Sequence, residues 1–304
     1  MTDNFVWLDG NVIEASQAKI SALSPSANFG LNVFEGIRCY RAAGASELNI
    51  LRLDAHIDRL RKSCKIMRID SDVHEDVIYG AIEAVISANK LTDDCAVRLV
   101  LMVDGEGSWH ATGPTSMLVT ATTHPRHDVD DLSVYTASVS SWTRIEDNMM
   151  PPRVKAGANY INSRYGFLQA QKEGYDLPVF LDRAGKVSES SGSCLFIIRD
   201  GALITPPISS SVLESITRSC VFELAADANL KVLERQIDRT ELYISDEVFL
   251  CGSSVEISPL VSIDQYLIGD ARPGPISHLL LKKYLEVASG LDDKYRDWVR
   301  PIAI

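Results

Sequence analysis

The segment Thr122–Asp131 (TTHPRHDVDD) constrains the fold more than any other part of this chain. It is polar, charged and proline-containing, and it lies between two stretches of different texture, as an interdomain linker does. Before it, Phe5–Val12 reads as a hairpin around an Asp-Gly turn, and Ile37–Arg41 and Leu48–Leu51 flank a turn containing Gly44. Leu53, Ile57, Leu60 and Cys64 recur at helical spacing, and Val73, Val77, Ala81, Ala84 and Ala88 repeat that pattern. Ala96–Val103 and Met117–Ala121 read as strands joined by a glycine-rich loop. After the linker, short β-rich runs (Val134–Trp142, Pro178–Leu181, Leu195–Arg199, Leu203–Thr205, Val232–Gln236, Glu247–Leu250) alternate with helical segments near 159–173, 216–229 and 276–288. The reading is an α+β protein with a small domain over 1–121, a linker over 122–132 and a larger domain over 133–304. A ligand cleft is expected between two such domains.

Composition removes several classes of function. The 304 residues carry 30 Lys plus Arg against 41 Asp plus Glu, a net charge of −11. That balance argues against nucleic acid, whose phosphates need a basic face. The chain is 46% hydrophobic, enough for a core and too much for disorder. Six cysteines lack CxxC spacing and histidine companions, so they read as free thiols in a reducing compartment, with no metal. The first ten residues hold two aspartates and no apolar run, unlike a signal peptide. No stretch is long and apolar enough to predict a membrane span, so a cytoplasmic location is expected.

Several segments can carry chemistry, and each has a plainer reading beside it. Lys155, in RVKAGANY, sits among small residues; a desolvated lysine there is a nucleophilic amine, although a surface lysine is the commoner case. Glu189, in KVSESSGSCLF, is either a carboxylate kept ionised by hydroxyls and amides or a solvated acid in a turn. The start of the helix at Ile216, with Thr217 beside it, can bind an anion or be an ordinary serine-capped helix end. The Cys251–Ser254 turn offers further N–H donors. Arg59 is either a phosphate fork or part of a solvated helix face. No dinucleotide fingerprint, P-loop or hydrolase elbow is present.

In order, NFGLNVFEGIRCYR (28–41), SSWTR (140–144), KAGANY (155–160), GKVSESSGSCLF (185–196), ITPP…SITR (204–218) and DEVFLCGSSVEISP (246–259) resemble the fold-type IV aminotransferases that depend on pyridoxal 5'-phosphate. The nearest branch is that of the branched-chain amino acid aminotransferases. The resemblance implies the two-domain, D-amino acid aminotransferase-like fold, with 133–304 as the large cofactor-binding domain. It implies that Lys155 is the Schiff-base lysine and proton carrier, that Tyr160 bonds the cofactor phenolic oxygen, and that Glu189 pairs with the pyridine nitrogen. Arg59, Ile216, Thr217 and Ser253 match the phosphate cradle, and Leu213 matches an apolar residue under the ring. Phe29, Phe34, Arg98, Ser253 and Ser254 match positions lining the substrate pocket.

Departures from the branch fall in the pocket. Ala96 stands where a tyrosine usually precedes the arginine matched by Arg98, and Leu99 stands for the usual proline. The usual Tyr-Gly is Phe29-Gly30, and Glu214-Ser215 replaces Pro-Gly. The resemblance thus implies a homodimeric or larger transaminase moving an amino group between an amino acid and a 2-oxo acid. 2-Oxoglutarate and glutamate are the expected shared pair, and the pocket is altered. The alternatives are a D-amino acid or (R)-amine transaminase, an aminodeoxychorismate-lyase-like enzyme, or a binding protein on a dead scaffold.

Overall fold

The structure is a computed structural model that describes residues 4–44, 46–72 and 74–304. Val73, counted in the second helical pattern, and residues 1–3 of the N-terminal segment lie outside them. In chain order the strands are β1 (Phe5–Leu8), β2 (Asn11–Glu14), β3 (Asn32–Arg41), β4 (Glu47–Leu51), β5 (Cys95–Val103), β6 (Thr115–Thr123), β7 (Tyr135–Thr143) and β8 (Leu177–Leu181). They continue with β9 (Val187–Ser190), β10 (Cys194–Arg199), β11 (Ala202–Thr205), β12 (Lys231–Glu234), β13 (Glu247–Gly252), β14 (Glu256–Ile263), β15 (Tyr266–Leu267) and β16 (Val299–Ala303). The helices are α1 (Pro25–Phe29), α2 (Leu53–Met67), α3 (Glu75–Ala88), α4 (Tyr160–Lys172), α5 (Ile216–Asp227), α6 (Arg239–Leu242) and α7 (Pro275–Ala288).

The chain forms two compact units, and they are not contiguous. One takes in the described residues up to Arg126, with Val154–Ala158 and Glu286–Ile304; the other is His127–Arg153 with Asn159–Leu285. The sequence boundaries at 121 and 133 differ from this division for a local reason. β6 runs through Thr123, so two linker residues are strand. Arg126 then forks onto Asp94, Nε to Oδ2 at 2.5 Å and Nη2 to Oδ1 at 2.6 Å. The next residue, His127, donates its amide to Glu256 Oε2 at 2.7 Å in the other unit. Neighbouring residues are therefore anchored to different bodies.

In the first unit a sheet of order β16-β4-β3-β5-β6-β1-β2 is antiparallel throughout. Val33, Ile37 and Cys39 of β3 and Val97 and Leu99 of β5 pack into one core with Leu53, Ile57, Leu60 and Cys64 of α2. The α3 helix forms where helical spacing predicts it, but its buried face is Ile78, Ala81, Ile82, Val85 and Ile86, while Val77 is 47% exposed. Three isoleucines outweigh the alanines, because each removes more apolar area from water.

In the second unit the order is β12-β11-β10-β13-β14-β7-β8-β9, with β15 on β14. The β11–β12, β14–β7 and β7–β8 pairs are parallel and the others antiparallel. α4 lies close on β8 because residue 166 is glycine: a Cβ there would stand 2.3 Å from Phe180 Cζ. β9 is the largest surprise. Its sequence, VSES, has no apolar alternation, yet all four residues are buried. Among the described residues no helix is long and apolar enough to cross a membrane, and all six cysteines are buried.

Candidate active site

The first unit gathers Lys155, Phe34, Arg98 and Arg59. The segment around Lys155 is docked on β3: Ala156 bridges Val33, and the Phe34 amide donates to the Lys155 carbonyl at 2.9 Å. The Lys155 amide donates to Ser63 Oγ at 3.3 Å. Successive strand residues face opposite sides, so Phe34 points away from the α2 core while Glu35 points toward it. Lys155 Nζ lies 4.9 Å and the Arg98 guanidinium carbon 4.1 Å from the Phe34 ring centroid. Arg98 pairs with Gly36 across the strands, where the absent side chain leaves the face open. Phe29 is exposed at the end of α1, which Gly30 terminates with φ +70°.

Arg59 is not on a solvated face. It is 8% exposed, and His56, Arg59 and Ser63 form a buried polar stripe along α2 beside the apolar one. Arg59 Nε donates to Glu35 Oε1 at 2.9 Å and Nη2 to Oε2 at 2.6 Å. His56 Nδ1 lies 2.7 Å from the same Oε2. Burial alone raises the Glu35 carboxyl, but the Arg59 charge and the bonds from Arg59 and His56 win and hold it at about 2. Glu35 is therefore ionised and accepts, so Nδ1 carries the hydrogen. Burial pushes the His56 imidazole below its ordinary value, against the pull of Glu35.

The second unit gathers Tyr160, Glu189, Leu213 and two turns. Glu189 is 3% exposed on β9, so the solvated-turn reading does not hold. Arg144 donates to its Oε1 through Nε at 2.9 Å and Nη2 at 2.7 Å. Oε2 accepts the Leu213 amide at 3.1 Å and faces Cys194 Sγ at 3.9 Å. Arg144 Nη1 is held in turn by Asn162 Oδ1 at 3.1 Å and Ser163 Oγ at 3.3 Å on α4. Tyr160 opens that helix, and a Cβ on Gly192 would stand 3.9 Å from its ring. The Gly192 turn adjoins the Ser253–Ser254 turn, since a Cβ on Gly252 would meet Gly192 O at 3.3 Å. Ile216 and Thr217, both buried, form the first turn of α5; Ser215 caps it by accepting the Arg218 amide at 3.2 Å. First-turn amides lack intrahelical acceptors and lie at the positive end of the helix dipole. A cavity of about 420 Å³ in this unit is lined by Asp147, Arg153, Arg183, Ser209 and Gln236, among others, and by none of the predicted site residues.

Sequence reasoning assigned no role to Arg144, Glu35, His56 or Ser63. SSWTR and FEGIRCY marked the resemblance only as motifs. The 56/59/63 spacing on α2 was the available signal, hidden because polar residues at helical spacing usually face water.

The sequence profile of the family described as Amino-transferase class IV matches residues 32–263. The chain belongs to the class IV aminotransferase family. This class IV aminotransferase is 33% identical to the branched-chain-amino-acid aminotransferase of Salmonella typhimurium, over 98% of this chain and 97% of that one. The branched-chain amino acid aminotransferase of Thermobaculum terrenum, in its PLP form, superposes with TM-score 0.92 at 37% identity, covering 99% of each chain. That of Thermoproteus uzoniensis, solved with norvaline, also gives 0.92, at 35% identity over 98% of this chain and 99% of that one. The class IV aminotransferase described here is thus a pyridoxal-phosphate-dependent enzyme of the branched-chain aminotransferase type, acting on amino acids and 2-oxo acids. These relatives do not favour the D-amino acid, (R)-amine or lyase alternatives.

Proposed function

We propose that this transaminase takes amino donors with side chains larger or more polar than leucine, exchanging them with 2-oxo acids through the 2-oxoglutarate–glutamate pair. The observation that carries the reading is Ala96. It lies two residues from Arg98 on β5, hence on the same face, and pairs with Arg38 across the strands. A methyl group occupies the position where a phenol is usual in the branch, beside the Phe34–Arg98 contact.

The donor set fits pyridoxal phosphate. A buried carboxylate fixed by an arginine suits a cationic ring nitrogen, and a helix start with a forked arginine suits a phosphate. Glu189 would hold the ring nitrogen and Tyr160 the phenolic oxygen, with Leu213 as the apolar residue against the ring. The resemblance would give the phosphate to Ile216, Thr217 and Ser253, and to Arg59. Bound there, the cofactor supplies a ring that accepts negative charge from the substrate Cα. Lys155 Nζ would accept the Cα proton of the donor and, in the reverse half-reaction, return a proton to Cα of the oxo-acid partner. Phe34, Phe29 and Arg98 shape the pocket, and the Ser253–Ser254 turn holds the substrate carboxylate.

The assembly is a homodimer or larger and works in the cytoplasm. An exposed stripe on α4, Ile161, Tyr165 and Leu168, supports association with a second copy, with Trp142 stacked on Tyr165 at 4.7 Å. A donor panel read by cofactor absorbance tests the substrate reading. Turnover of donors bulkier or more polar than leucine is the expected result. Strong, exclusive turnover of leucine, isoleucine and valine overturns it.

A further inference from the structure

We propose that Glu35, oriented by His56, positions Arg59 for the cofactor phosphate and so sets the enzyme's preference for pyridoxal phosphate over pyridoxal. This rests on the reading of Arg59 as a phosphate ligand. Glu35 is 1% exposed inside β3, an interior strand of a seven-stranded sheet. Its fork on the Nε–Nη2 edge fixes the plane of the Arg59 guanidinium. An arginine side chain otherwise carries about 2 kcal/mol of rotamer entropy that a ligand must overcome. His56, one helical turn before Arg59, bonds Oε2 and keeps the carboxylate from rotating out of the fork.

The adjacent residue completes the arrangement. Phe34 faces the opposite side of β3, bonds the Lys155 carbonyl through its amide and lies under Lys155 Nζ. One strand therefore registers both the amine and the arginine. Two consecutive residues of a single β-strand thus hold the amine and the guanidinium that would take the two ends of the cofactor. Preorganisation of this kind strengthens binding without adding a contact.

The test titrates the full-length chain, stripped of cofactor, with pyridoxal phosphate and with pyridoxal, in wild type and in Glu35→Gln, His56→Gln and Arg59→Ala. In Glu35→Gln the ratio of the two affinities falls about tenfold, the scale of one charge-assisted hydrogen bond, while pyridoxal binding is nearly unchanged. His56→Gln, which keeps the fork, lowers the ratio less and decides the matter if Glu35→Gln does not fold. Equal weakening of both ligands overturns the proposal, since a general structural defect does not distinguish them. An unchanged ratio in Arg59→Ala overturns the reading of Arg59 itself. A lowered ratio there, with unchanged ratios in the other two variants, overturns only the role of Glu35 and His56.

Discussion

Arg144 grips Glu189 from one side: Nε and Nη2 both donate to Oε1, at 2.9 and 2.7 Å, while Oε2 accepts the Leu213 amide at 3.1 Å. Both side chains are buried, so neither charge is compensated by water. Removing one partner leaves the other buried alone, which costs about 3–5 kcal/mol. Arg144→Leu should lower unfolding stability by that order in denaturant titration. Arg144→Lys, which keeps the charge and loses the fork, should cost less.

Lys155→Ala should fold normally. The backbone bonds that dock this segment, Lys155 N to Ser63 Oγ and Phe34 N to Lys155 O, do not use the side chain. Transamination should fall by about 10²–10⁴-fold or more, the range for loss of a general base. Retained turnover in a single-turnover absorbance assay would falsify the lysine assignment.

Acid should destabilise the first unit in two stages with the same sign. His56 is held below its ordinary 6.5, so the folded state resists its protonation and stability is lost as pH falls below that value. Glu35, lowered from 4.5 to about 2, contributes stability that is fully present above 4.5 and lost as pH falls toward 2. The Glu35 part amounts to about 3 kcal/mol. Stability measured against pH should show both losses, and His56→Gln should flatten the upper one.

Gly166→Ala is normally a favourable helix change, by about 1 kcal/mol. Here the new Cβ meets the Phe180 ring at 2.3 Å, and a ring packed between α4 and β8 cannot swing away. Overpacking should win, with a net loss of about 1–3 kcal/mol in chemical denaturation.

Ala96→Tyr places a phenol beside Arg98 on the proposed pocket face. Preference should shift toward leucine over bulkier donors by about tenfold in kcat/KM, the scale on which an apolar pocket discriminates size. An unchanged ratio would remove Ala96 from the pocket.

Much of the fold was legible in the sequence, because most of its elements bury an apolar face whose period survives in the residues. α2 and β5 follow from that rule, and the β1–β2 hairpin follows from its Asp9-Gly10 turn. β9 does not: Ser188, Glu189 and Ser190 carry no apolar period, and inside the second unit polar partners meet Glu189 and Ser190. Ser190 Oγ, for one, donates to Pro178 O at 2.6 Å. The motifs named Lys155, Tyr160, Glu189 and Arg59, since side-chain chemistry is written residue by residue.

The companions of those residues were not written anywhere locally. Arg144 lies 45 positions from Glu189, and Glu35 lies 24 from Arg59. Whether Arg59 faces water or a buried acid is decided only when α2 packs on β3. From the residues alone came most of the elements, the class of chemistry and a proposal for which side chains carry it. Tertiary structure alone decided which polar groups are desolvated together. Pairing two charges out of water requires both to arrive at once from distant parts of the chain.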